Sequence, residues 1–186
     1  NPTDFDVAVG LALHEGSHIK LSDFNLLQKI DSLVPKEVID KSKLIGIVNP
    51  ISVVKNLWNY VEDRRIDNFV YRSAPGYKGY YKALYDKYFN AKIIDKGLKS
   101  NSFRTEDWES YMFRLCNITN ANRDLSALKG LKEIWNLLDL KNVNRLKSTN
   151  DALDIAWKIF NVIESNMEAT KITKGNEENE NGIICF

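Results

Sequence analysis

Apolar side chains recur along this chain at helical spacing, three and four residues apart, far more than in strict alternation. Phe5, Ala8, Val9, Ala12 and Leu13 form one such side, and Thr3 or Asp4 can cap a helix running to about Leu21. Asp4 and Asp6 favour the positive end of its dipole. Ser22 or Asp23 opens a second segment, Phe24 to about Leu33, and Pro35 starts a short third one. The β-branched run Leu44 to Val48 reads as a short strand or a buried loop. Asn49-Pro50 then breaks the chain ahead of a long helix, about Ser52 to Tyr71. A Pro75-Gly76 turn leads into a Tyr-rich helix, Lys78 to Phe89. Further helices are predicted near Glu106–Asn117, Ala127–Asp139 and Asp151–Met167, with Ser148 and Asp151 as a capping box. The fold class is therefore mainly α, with little or no β-sheet. No internal repeat or heptad run is evident, and Lys174–Asn181 reads as a polar, flexible tail.

Composition narrows the function classes. Hydrophobic residues at 44% and charged residues at 27% are ordinary for a globular protein that can bury its own core. A formal net charge of +1 supplies no bulk attraction to nucleic acid or anionic membrane, and neither partner is expected. No apolar run approaches the ~20 residues of a membrane span, and no signal peptide opens the chain. Cys116 and Cys185 form no metal spacing or disulfide framework. A reducing setting, cytoplasmic or virion-associated, is the expectation. Because the chain opens on Asn1 and reads as helix by Phe5, polypeptide upstream is also expected.

The chemistry is concentrated in His14-Glu15-Gly16-Ser17-His18. The chain has two histidines, and both lie in this run. Residues four apart on a helix point the same way, so two imidazoles can grip one Zn²⁺ at ~2.0–2.1 Å. Zinc lowers the pKa of a bound water towards ~7, and Glu15 is placed to take its proton. Leu11, Ala12, Leu13, Gly16, Ser17 and Ile19 are apolar or small, which predicts a buried helix with room above the metal.

A catalytic zinc needs a third protein ligand and an open position. No histidine remains, so the third ligand is expected to be Asp or Glu, with Cys as the weaker alternative. The candidates lie in Trp58-Asn59-Tyr60-Val61-Glu62-Asp63-Arg64-Arg65-Ile66-Asp67. At 100° per residue, Val54, Leu57, Trp58, Val61 and Phe69 share one side, with Glu62 at its edge and Asp63 and Asp67 opposite. Glu62 is thus the preferred ligand and Asp63 the runner-up. Asp63 or Asp67 could instead orient a ligand histidine. Glu62 could equally pair with Arg65 or Arg64. Arg65 could bind an active-site carboxylate or stabilise an oxyanion, an ordinary ion pair being the simpler reading. Tyr77 and Tyr80 are candidates for contacting substrate or oxyanion, although these tyrosines, with Tyr81, Tyr85 and Tyr88, also suit half-buried packing.

Taken together, LALHEGSHIKL and LWNYVEDRRIDNFVY resemble the HExxH-plus-Glu zincins, a gluzincin-like arrangement. They are similar to metallopeptidase-like regions of cobaltochelatase and nitric-oxide-reductase accessory proteins. They also resemble metallopeptidase domains in large proteins of tailed, crAss-like phages of gut bacteria. The resemblance covers Asp4 to about Phe89 and implies His14, His18 and Glu62 on zinc, with Glu15 as general base. Lys20 departs from it, because an apolar residue is usual there. Zincins also place a β-sheet before the active helix to align the peptide, and this sequence has no room for one. Residues 1–168 are accordingly read as one α-rich domain, with 1–89 as zinc-site core, 90–168 as helical extension and 169–186 as polar tail. The leading expectation is a zinc metalloendopeptidase acting on a peptide or protein. The alternatives are an inactive, zinc-stabilised module of a larger assembly such as a virion, and a metal-free helical interaction domain.

Overall fold

In the computed structural model, which describes residues 4–167, the helical spacing is realised as nine α-helices in chain order. These are α1 (Asp4–Leu21), α2 (Phe24–Leu33), α3 (Lys36–Leu44), α4 (Pro50–Ser73), α5 (Lys78–Tyr88), α6 (Lys92–Lys99), α7 (Trp108–Cys116), α8 (Leu131–Leu138) and α9 (Thr149–Asn166). Two 3-10 segments, Pro75–Tyr77 and Leu140–Arg145, join them. Among the described residues there is no strand, so Leu44–Val48 ends α3 and turns towards Pro50. The polar tail lies outside the described residues. No described helix is long and apolar enough to cross a membrane.

Local chemistry sets the helix ends. Asp23 caps α2 by accepting from the Asn25 and Leu26 amides, and Asn49 caps α4 by accepting from Ser52. Pro50 occupies the first turn of α4, where its missing N–H costs nothing. Ser148 and Asp151 form the anticipated capping box on α9. Helix α6 escapes the sequence pattern because it is only eight residues long and contains Gly97. A Cβ there would sit 2.7 Å from the Phe113 ring, so glycine lets α6 lie against α7.

The central element is α4, which packs most extensively on α9 and also meets α1, α2 and α3. Its Val53, Val54, Leu57, Trp58 and Val61 join Tyr111 and Leu115 of α7, Leu131 and Ile134 of α8, and Ile159 and Phe160 of α9 in the main apolar cluster. That cluster crosses the division placed at residues 89 and 90. A smaller one, Val7, Ala83 and Leu84 with Leu11, joins α1 to α5.

Helix α1 is less buried than its composition suggested. Only Val7, Gly10, His14 and Ser17 are buried, while Phe5 is 69% and Ile19 80% exposed. Its neighbours α4 and α5 cover one side of the helix, leaving the apolar residues opposite uncovered. On the covered side, a Cβ at Gly10 would meet the Tyr80 carbonyl oxygen at 2.5 Å, which is backbone and unable to swing away. Gly10→Ala should therefore push α1 off α5 and cost about 1–3 kcal/mol. Thermal melts of the variant would read this, and an unchanged melting temperature would refute it.

Candidate metal centre

Helix α1 presents His14 and His18 to the middle of α4, where every residue from Tyr60 to Asp67 is buried. The acid that meets them is Asp63. Its Oδ1 lies 3.1 Å from His18 Nε2 and 3.7 Å from His14 Nε2. Two donors held tetrahedrally at 2.0–2.1 Å from one zinc stand ~3.3 Å apart, and the observed separations bracket that value. His14, His18 and Asp63 form a group whose ligand atoms all lie within 4.8 Å of one another, and it could hold a metal ion.

The far nitrogens are equally well defined. His14 Nδ1 is 2.8 Å from Asp67 Oδ1, and Asp67 Oδ2 accepts a 2.5 Å hydrogen bond from the Tyr85 hydroxyl. His18 Nδ1 is 3.0 Å from Ser22 Oγ, which donates to Glu62 Oε1 at 2.8 Å. With the ring protons on Nδ1, Asp67 and Ser22 accept them, and both Nε2 lone pairs are left for a metal.

Glu62 does not share this group. It is fully buried and accepts from Ser22, from Thr149 of α9, and from Nε and Nη2 of Arg65 at 2.8 and 2.6 Å. The preference for Glu62 assumed that the side of α4 opposite its apolar stripe faces solvent. Instead α1 packs on that side and makes it an interior surface, which is why Asp63 and Asp67 are buried. Conversely Phe69, assigned to the apolar side, is 48% exposed near the helix end. Arg65 is spent on Glu62 and on the Leu21 carbonyl, at 2.7 Å, and has no contact with the histidines.

Glu15 is exposed on α1, close enough for its charge to act on His14. Gly16 beside it is exposed, with open space where a Cβ would be. The Tyr77 and Tyr80 rings pack at a tilt, 6.3 Å between centroids, and Tyr77 is 45% exposed. Neither hydroxyl is hydrogen-bonded to His14, His18 or Asp63. The tyrosine that does serve this group, through Asp67, is Tyr85. Sequence reasoning gave Ser22, Arg64 and Tyr85 other parts: a helix cap, a partner for Glu62 and a packing residue. One signal was available: Ser22 continues the four-residue spacing of His14 and His18.

Electrostatics tie the group together. Burial pulls the His14 pKa down, but the hydrogen bond to Asp67 and the charges of Asp67, Asp63 and Glu15 outweigh it, leaving His14 above 6.5. Burial pushes Asp67 up, yet the His14 hydrogen bond and the Arg64 charge hold it below the usual carboxylate range. Burial, opposed by Arg64 and reinforced by Asp67, keeps the Tyr85 hydroxyl protonated as a donor. Without metal, the stability supplied by charged His14 is complete below pH 6.5 and is lost as pH rises through its raised pKa. A metal held by His14 would compete with that proton and so bind more tightly as pH rises. The melting temperatures of metal-free and zinc-loaded protein should therefore diverge with rising pH. Parallel curves would contradict this.

No protein-family model matches the chain, and no curated protein or solved structure matches it either.

Proposed function

We propose that the chain is a zinc-dependent peptidase, with His14, His18 and Asp63 holding the ion and Glu15 acting as general base. One observation carries the metal part of this reading: both imidazoles turn Nε2 towards Asp63 while acceptors hold their Nδ1 atoms. Three protein ligands of this kind leave a position open, the arrangement of catalytic rather than closed structural zinc. Bound zinc would supply an acidified water and a polarised carbonyl. Glu15, exposed beside the ligands, would take the proton and return it to the departing amine. Asp67 and Ser22 would hold the two imidazoles oriented, with Nδ1 turned to these acceptors and Nε2 to the ion.

Glu15→Gln is isosteric and removes no hydrogen bond to His14, His18 or Asp63. It should leave zinc stoichiometry and melting temperature unchanged while lowering peptide hydrolysis by at least the ~10²–10⁴-fold typical of acid–base catalysis. Elemental analysis together with a quenched-fluorescent peptide assay reads both. Hydrolysis undiminished in the variant would remove Glu15 from the mechanism.

A second reading, an inactive module stapled by zinc, is favoured by the absence of a strand among the described residues. They supply no edge on which an extended peptide could pair. Under that reading chelation lowers the melting temperature, and wild-type protein cleaves no peptide in the same assay.

A further inference from the structure

Beside the metal group, α4 buries a cation, Arg64, whose part in that group is limited to its charge acting on Asp67 and Tyr85. Arg64 is 7% exposed, and its guanidinium lies over the rings of Tyr60, Tyr85 and Phe89 at 5.1, 5.0 and 5.7 Å from their centroids. Its nearest carboxylate atom, Asp67 Oδ2, is 3.8 Å from Nη2, beyond hydrogen-bond distance, and its Nε is buried without a partner. A guanidinium has five donors, and burying them unmatched is costly. Both oxygens of Asp67 are already engaged by His14 and Tyr85.

Arg64 lines a cavity of about 380 Å³ between α4, α5 and the segment after α8. Its lining combines the polar Asn68, Lys82 and Thr119 with the apolar Leu140 and Val143 and the Tyr71 ring. Tyr81 also lines it, with its hydroxyl buried close to Ser17 and Asp67 without a well-formed hydrogen bond to either. A planar fork of donors, a spare hydroxyl and an apolar wall match one ligand chemistry: a carboxylate carried on a small apolar body.

We infer that this cavity is a binding site for a small monocarboxylate, with Arg64 as its counter-charge and Tyr81 as a second donor. A single negative charge fits better than phosphate because Asp67 lines the same space. At this point the inference rests on the metal reading. A divalent ion matches the charges of Asp63 and Asp67, so those two carboxylates no longer offset Arg64. Binding should accordingly be tighter with zinc than without.

The test is a titration of the whole chain with benzoate, zinc-loaded and after chelation, followed by calorimetry and melting temperature. Saturable binding that weakens more than ~10-fold in Arg64→Lys, which keeps the charge and loses the fork, supports the site. Tyr81→Phe, a change the core tolerates, should weaken it by a smaller factor. A flat titration of folded wild-type protein in both zinc states overturns the inference, as does binding that neither substitution alters. Equal affinity in the two states supports the Arg64 site and removes only the metal's part in it. A dipeptide and its C-terminal amide then separate the sources: preference for the free acid identifies a peptide carboxyl terminus, and equal failure of both identifies a free organic acid.

Discussion

Asp63→Asn is expected to abolish stoichiometric zinc binding. The substitution keeps the size of the side chain and removes the charge that faces both Nε2 atoms. Losing an outer hydrogen-bond partner of a ligand typically weakens a metal by ~10–100-fold, and loss of a ligand itself should exceed that. His14 and His18 would remain held by Asp67 and Ser22, so the variant should stay folded, with the melting temperature of chelated wild-type protein. Competition with a zinc-sensitive dye measures the change directly. Wild-type affinity in Asp63→Asn would dismantle the proposed site, and more decisively so if Glu62→Gln were the variant that lost the metal.

The second large effect is expected at Glu62, and it is an effect on stability. Its carboxylate gathers Ser22 from the end of α1, Thr149 from the first turn of α9 and Arg65 from its own helix. It thereby joins three helices at one fully buried point, where the N-terminal end of α9 also favours a negative charge. Removing one member of such a pair leaves the other charge buried and unmatched. Glu62→Ala should therefore cost about 3–5 kcal/mol. Denaturant unfolding should show a matching shift in midpoint, with one zinc still bound by the folded protein. A loss below ~1 kcal/mol would mean that water replaces the carboxylate at little cost.

These two acids are neighbours in sequence yet meet different partners, and a helical wheel does not name those partners. A wheel states which residues share a side of α4 but not what lies against that side. In the long middle of α4 both sides are covered, by α9 and by α1. The apolar stripe faces α9 and the main cluster, as its composition requires. The polar stripe faces α1, and its acids are buried because two imidazoles and an arginine meet them there. Phe5 and Ile19 carry the same lesson in reverse: they are apolar, helical and exposed, because α4 and α5 cover only one side of α1.

What the sequence determined by itself is local. The helical spacing, the Asp23, Asn49 and Ser148 caps and the breaks at Pro35, Pro50 and Pro75 act within a turn or two of chain. The pairing of His14 with His18 needs only the pitch of one helix. The tertiary structure alone decided that Asp63 is the acid facing both histidines, that Glu62 and Arg65 pair in a buried junction, and that Tyr85, through Asp67, is the tyrosine hydrogen-bonded next to His14. Those outcomes depend on how α1, α5 and α9 rotate against α4, over separations of 18 to 87 residues along the chain. Helix rotation is set by packing the whole interface at once, so no short stretch of sequence encodes it.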